Sequence, residues 1–323
     1  MADRTDSRTL ELTGGLSWGE LIESLVATHG TLTAVAWKLI EHADGDDVAS
    51  VERALRRLRT RGQRDGGRWG QHLIRVFGVP APIEIRLRWL GHYHSPFNDL
   101  PVGLCLDQLR LWDRPPIATS RARVWLHLGF ASCALRTRRF DDAVTHARRA
   151  RAALAALPAD YDAARIELVL VEAYTASRIG APVELDAAAS LLATAMLGDD
   201  DRACFEARLA DHRAYHLNRA GDHAAALALY ESIPANRHPF ASYRRDAGRA
   251  YGTWKLGDPD RALELARAAC EHAGDGGYTR LRAMGLLMIW KISGDDDARA
   301  RAHAIADRLG DDELRTRASH GNR

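Results

Sequence analysis

The chain has 323 residues, 46% of them hydrophobic and 27% charged, the balance of an ordinary folded protein. Its length exceeds what one hydrophobic core usually serves, so two domains or an elongated array are expected. A formal net charge of +2 excludes any argument for nucleic acid from charge as a whole, and no apolar run reaches the roughly 18–20 residues that span a bilayer.

Residues 1–15 carry scattered charges and no apolar core, and read as a flexible N-terminus without a secretory leader. "LIESLVATHGTLTAVAWKLIEH" (21–42) has apolar residues at helical spacing, interrupted at His29-Gly30, and Thr31 or Thr33 can cap a second helix there. After "ADGDD" comes "VASVERALRRLRTRG" (48–62). Val51, Ala54, Leu55 and Leu58 form an i, i+3, i+4, i+7 stripe, and Gly62 stops the helix. Its other face carries Glu52, Arg53, Arg56, Arg57 and Arg59. Eight arginines fall between 51 and 75, opposed only by Glu52 and Asp65, and "RGQRDGGRWG" (61–70) reads as a phosphate-contacting loop.

"HGTLTAVAWKL" followed by "SVERALRRL" resembles the helix-turn-helix of the factor-for-inversion-stimulation type, found at the end of many bacterial enhancer-binding regulators. The resemblance implies that residues 16–80 form a DNA-binding module. Ser50, Glu52, Arg53 and Arg56 would then face base edges and Arg57 and Arg59 phosphates, and Arg61, Arg64 and Arg68 of the 61–70 loop would add phosphate contacts beside them. A homodimer would supply adequate site length. The sequence departs from the family in one respect: Leu39 and Ser50 lie eleven apart, with "DGDD" between them, where the family has a tight turn. A plain helical cap, or a surface for another acidic partner, stays open beside the DNA reading.

From 83 onward the chain repeats. "RLRWLGHYH" and "PVGLCLDQLRLWDRPP" read as a degenerate helix pair at 83–114, ended by prolines. Five later segments align on Arg136, Arg178, Arg219, Lys255 and Lys291, at spacings of 42, 41, 36 and 36. Four residues earlier stand Ser132, Tyr174, Tyr215, Tyr251 and Leu287. Two later stand Arg138, Gly180, Gly221, Gly257 and Ser293, and seven later Ala143, Leu185, Ala226, Ala262 and Ala298. Small residues where two helices cross and glycine where the chain reverses are what antiparallel helix pairs require.

"YHLNRAGDHAAALALYESIP" (215–234), "YGTWKLGDPDRALELARAAC" (251–270) and "RRFDDAVTHARRA" (138–150) resemble the tetratricopeptide repeat family. The expected fold is therefore all-α: a helix-turn-helix-like domain over 16–80, then a solenoid of about five to six helix pairs over 81–310, with 311–323 a flexible C-terminus. The resemblance implies that the first helix of each pair lines a concave groove. Tyr93, Tyr174, Tyr215 and Tyr251 would stand there one turn from Arg136, Arg178, Arg219, Lys255 and Lys291, a ladder suited to a peptide or protein segment bearing carboxylates. Packing and solvation of the repeats account for the same residue types.

Candidate chemistry is sparse. "HYH" (92–94) and His212/His216 beside Asp211 have metal-ligand spacing, but no HExxH accompanies them, and "DGDD" lacks the register of a calcium loop. No residue pattern in the sequence points to a catalytic residue, metal ligand or cofactor. The four cysteines are far apart and read as reduced thiols, so the cytoplasm is the expected compartment. The expectation is a DNA-binding regulatory protein, not an enzyme, whose groove holds a peptide or protein partner. The alternative is an interaction scaffold, or an accessory subunit of a larger complex.

Overall fold

A computed structural model describes residues 15–42, 47–61, 66–155, 157, 161–235 and 237–319, and every regular element among them is a helix. None of these helices is long and apolar enough to cross a membrane. The chain divides into two compact units, 1–86 with 110–123, and 87–109 with 124–323.

The first unit contains α1 (Trp18–His29), α2 (Leu32–Ile40), α3 (Val48–Arg61), α4 (Gly67–Phe77) and the start of α5 (Ala81–Gly91). Ser17 and Glu20 cap α1 reciprocally, and Gly30 ends it at a φ of 88°. Of the two threonines that follow, Thr31 caps α2 by accepting from the Ala34 N–H at 3.0 Å, while Thr33 turns its hydroxyl toward Glu52 at 3.2 Å. Asp47, the last residue of "DGDD", caps α3 by accepting from the Ser50 N–H at 2.9 Å. Residues 44–46 lie outside the described residues. Val51, Leu55 and Leu58 bury the expected stripe with Leu21, Ile22, Val35 and Leu39.

The expected loop at 61–70 is corrected from Gly66 onward. Gly66 adopts a φ of 78° and opens α4, so Arg68 sits on a helix. Apolar spacing at Trp69, Leu73, Ile74 and Phe77 drives it, and the Trp18 ring fills the space that a Cβ at Gly66 or Gly70 would need. Gly62 and Arg64 lie outside the described residues. The pair expected at 83–114 exists as α5 and α6 (Val102–Trp112), but the division runs through both helices, and 110–123 belongs to the first unit. Buried Trp112, with the Arg86 guanidinium 5.9 Å from its ring centre, belongs to that unit.

The second unit holds five consecutive helix pairs: α7 (Arg123–Arg136) with α8 (Phe140–Ala155), α9 (Asp162–Ile179) with α10 (Asp186–Thr194), α11 (Asp199–Arg219) with α12 (His223–Glu231), α13 (Pro239–Lys255) with α14 (Pro259–Asp275), and α15 (Thr279–Ser293) with α16 (Asp296–Leu309). Each aligned basic residue falls within the last turn of the first helix of its pair. The reversals take positive φ at Arg138 (57°), Gly180 (73°), Gly221 (84°), Gly257 (95°) and Gly294 (76°). Three of these are the glycine column itself. In the fifth segment the next residue, Gly294, takes the role, and in the first Arg138 accepts a conformation that disfavours an L side chain by about 1–2 kcal/mol. Helices α12 and α13 run antiparallel: Gly248 meets Tyr230 and Gly252 meets Leu227, so one numbering rises as the other falls. The alanine column is the seam, with Ala143, Ala226, Ala262 and Ala298 fully buried or nearly so.

The expected flexible C-terminus from 311 is also corrected. Residues 312–319 form α17 (Asp312–Ser319), led by the fully buried Asp311. The Asp311 carboxylate accepts from Arg136 Nε at 3.0 Å, Arg280 Nε at 2.8 Å and the Leu314 N–H at 2.9 Å. These bonds join the first and last helix pairs of the unit, and they hold α17 in place.

Candidate ligand-binding site

A cavity of about 670 Å³ opens within the second unit, lined from Leu135 at the end of α7 to Arg317 on α17. Tyr93, Tyr174, Tyr215 and Tyr251 all line it, as do Arg178, Arg219 and Lys291. Two members of the expected ladder do not. Arg136 is buried, with its guanidinium spent on Asp311 and on the Leu100 carbonyl at 2.9 Å. Lys255 lies over the Trp254 ring at 4.3 Å instead. Neither Arg219 nor Lys291 has an acidic partner among the described residues.

The lining holds further groups outside the expected ladder: Arg138, Arg208, Arg244, Arg280, Arg317, Asp211, Glu313, Tyr230 and Tyr243. A signal for three of them was present. Arg208, Arg244 and Arg280 each stand eleven residues before Arg219, Lys255 and Lys291, three helical turns back on the same face. In the second segment that position is Glu167, which is fully buried and receives Arg208 through two bonds of 2.5 and 2.9 Å.

Tyr93 sits at the meeting point of these arginines. Its oxygen accepts from Arg244 Nη2 at 3.1 Å and Arg280 Nη1 at 2.9 Å, and the Arg208 guanidinium lies 4.9 Å from its ring centre. Burial works to raise the Tyr93 phenol, but Arg280, Arg244 and Arg208 together bring it below the ordinary tyrosine range. Asp211 holds Arg244 at 2.9 Å and accepts from the Tyr230 hydroxyl at 3.0 Å. His212 is kept neutral, pushed down to about 4 mainly by burial.

Positive charge outweighs negative across the cavity. Arg138, Arg178 and Arg317 all converge on the single carboxylate of Glu313; burial works to raise its carboxyl, but Arg317, Arg178 and Arg280 hold it below its usual range. Lys291 is depressed by burial and by the like charges of Arg317 and Lys255. Eight basic side chains and two carboxylates line the wall, Glu167 and Asp311 behind it hold Arg208 and Arg280, and Arg219 and Lys291 are left to meet an entering anion.

On α3, Ser50, Arg53, Arg56, Arg57, Arg59 and Arg61 are exposed, and so is Arg68 on α4. Arg56 pairs with Glu52 and Arg59 with Glu23. Glu52 is half-buried and also held by Thr33, so it is not free to read a base. Arg53, Arg57 and Arg61 form no ion pair among the described residues.

Compared with family models, curated proteins and solved structures, the chain matches none.

Proposed function

We propose that this is a binding protein, not an enzyme, and that its second unit is a tetratricopeptide-like solenoid whose cavity takes a short carboxylate-bearing segment of a peptide or protein partner. The excess of guanidinium and ammonium groups over carboxylates in a tyrosine-rich cavity carries this reading. Arg138 supports it: the side chain is kept at a positive φ where sister positions use glycine, and it reaches the cavity wall. The cavity's volume lies in the range of a compact ligand site, which favours a few residues over a long extended chain. The four cysteines form no disulfide, which suits a reducing compartment such as the cytoplasm.

The test is fluorescence polarisation with a labelled glutamate-rich hexapeptide and its glutamine counterpart. Wild type is expected to prefer the acidic peptide at least about 10-fold, and Arg219→Met/Lys291→Met to lose about 10–100-fold of that affinity, the loss of one or two charge-assisted bonds. Equal binding of both peptides, or an unaffected double variant, overturns the proposal.

The exposed arginine face of α3 favours a second role, in which α1–α3 act as a helix-turn-helix-like module on double-stranded DNA, as a homodimer. Fluorescence anisotropy on generic duplex across a salt series would compare wild type with Arg53→Ala/Arg56→Ala/Arg57→Ala. A shallower salt slope in the variant supports DNA contact. No binding at low salt, or equal binding, removes it.

A further inference from the structure

The residues on either side of Tyr93 converge on a different group. His92 Nδ1 lies 3.6 Å, and His94 Nε2 3.2 Å, from the same oxygen, Oδ1 of Asp201 in the first turn of α11. One donor atom from each of the three residues lies within 4.8 Å of the others. Metal–donor bonds of about 2.0–2.2 Å place neighbouring donors of a tetrahedral ion about 3.3–3.6 Å apart, close to the two nitrogen–oxygen separations of 3.6 and 3.2 Å.

The scaffold around these donors is fixed. The turn that carries both histidines is held by the Asn98 side-chain amide, which donates to the carbonyls of His92 at 2.8 Å and Tyr93 at 3.2 Å, and by the Ser95 hydroxyl on the Trp89 carbonyl at 2.6 Å. Asn98 is itself oriented by the Ser132 hydroxyl at 2.6 Å. Trp125 packs against the His92 ring and Phe205 against His94, with ring centres 4.6 and 5.0 Å apart. Both imidazoles are nearly buried, whereas Asp201 remains partly open. Arg88 occupies Oδ2 of Asp201, the second-layer contact that orients a ligating carboxylate, and Oδ1 faces the two imidazoles.

We propose that His92, His94 and Asp201 form a binding site for a divalent transition-metal ion, zinc in the first instance, with water or an external ligand completing its coordination. Two imidazole nitrogens and one carboxylate oxygen suit zinc and its first-row neighbours, and disfavour calcium and magnesium, which select oxygen. The ion would fix the His92–His94 turn and, with it, the position of Tyr93 in the cavity.

The untagged full-length chain, stripped with a chelator, is titrated with zinc chloride by calorimetry. One ion per chain is expected. Asp201→Asn and His94→Gln should each weaken binding at least about 100-fold, more than the loss of an outer-layer contact. His303→Gln, which alters the exposed His303–Asp307 pair on α16, should bind as wild type. No uptake by wild type, unchanged affinity in both ligand variants, or a loss confined to His303→Gln overturns the proposal. Should a ligand variant fail to fold, cobalt(II) added to wild type decides. Intense visible bands of a four- or five-coordinate ion support the site, and the pale spectrum of a hexa-aquo ion removes it.

Discussion

Replacing Asp311 with alanine leaves two buried guanidiniums, Arg136 and Arg280, without the carboxylate that both address through Nε. Removing one partner of a buried pair costs about 3–5 kcal/mol, and the lost cap on Leu314 N–H adds to it. At about 2–4 °C per kcal/mol for a unit of this size, the melting temperature should fall by roughly 6–20 °C. Circular dichroism at neutral pH, with urea titrations at two wavelengths to test for a single transition, measures it. Asp311→Asn keeps an acceptor for Leu314 but loses the charge, and should fall between alanine and wild type. Burial works to raise the Asp311 carboxyl, yet Arg280, Arg136 and the Leu314 N–H hold it below the ordinary range. Its contribution is therefore complete above the unfolded value of about 4 and is lost as pH falls through the lower native value, so the gap between wild type and Asp311→Asn should close in acid. A loss below about 1 kcal/mol at neutral pH, or a gap that widens in acid, would refute the reasoning.

Gly248→Ala should destabilise by about 1–3 kcal/mol, because the added methyl overlaps the Tyr230 ring, which is buried and anchored through its hydroxyl to Asp211. Denaturant midpoints measure this, and a neutral result would mean that α12 and α13 can separate. Asp99 has the opposite pH behaviour to Asp311. Burial raises its carboxyl to about 6, although it accepts from the Arg280 N–H at 2.6 Å. A carboxyl raised on folding loses stability as pH climbs from about 4 through its native value. Asp99→Asn should therefore match wild type near pH 4 and melt higher than wild type above pH 6, while an equal difference at both pH values would contradict the assignment.

The helix pairs were legible because their periodicity is local. The basic, glycine and alanine columns mark where each first helix ends, where the chain turns and where the second helix packs back, all within a few residues of one another. Three of the cavity tyrosines, Tyr174, Tyr215 and Tyr251, followed from the same register. Arg136 shares the column of Arg178 and Arg219 yet leaves the cavity, because its partner, Asp311, stands 175 residues away and no local pattern reports a pairing at that distance. The pairing of Arg178 with Glu313, 135 residues away, is illegible for the same reason, and with it the helix in the expected C-terminal tail. At 61–70 the glycines suggested a loop. The apolar spacing of Trp69, Leu73, Ile74 and Phe77, which starts a helix at Gly67, lay at the edge of that window.

The Arg136–Asp311 bond also bears on synthesis. An open array of repeats can complete each pair as it leaves the ribosome, since every unit needs only its neighbour. Here Arg136, 2% exposed in the finished unit, has no carboxylate until residue 311 has been made. At about 5–20 residues per second, the 175 residues between them take roughly 10–35 s to translate. During that interval the first pair carries a cation destined for burial with its counter-charge not yet in existence. The nascent first pair must stay solvated or be shielded until the last helix arrives to close the unit.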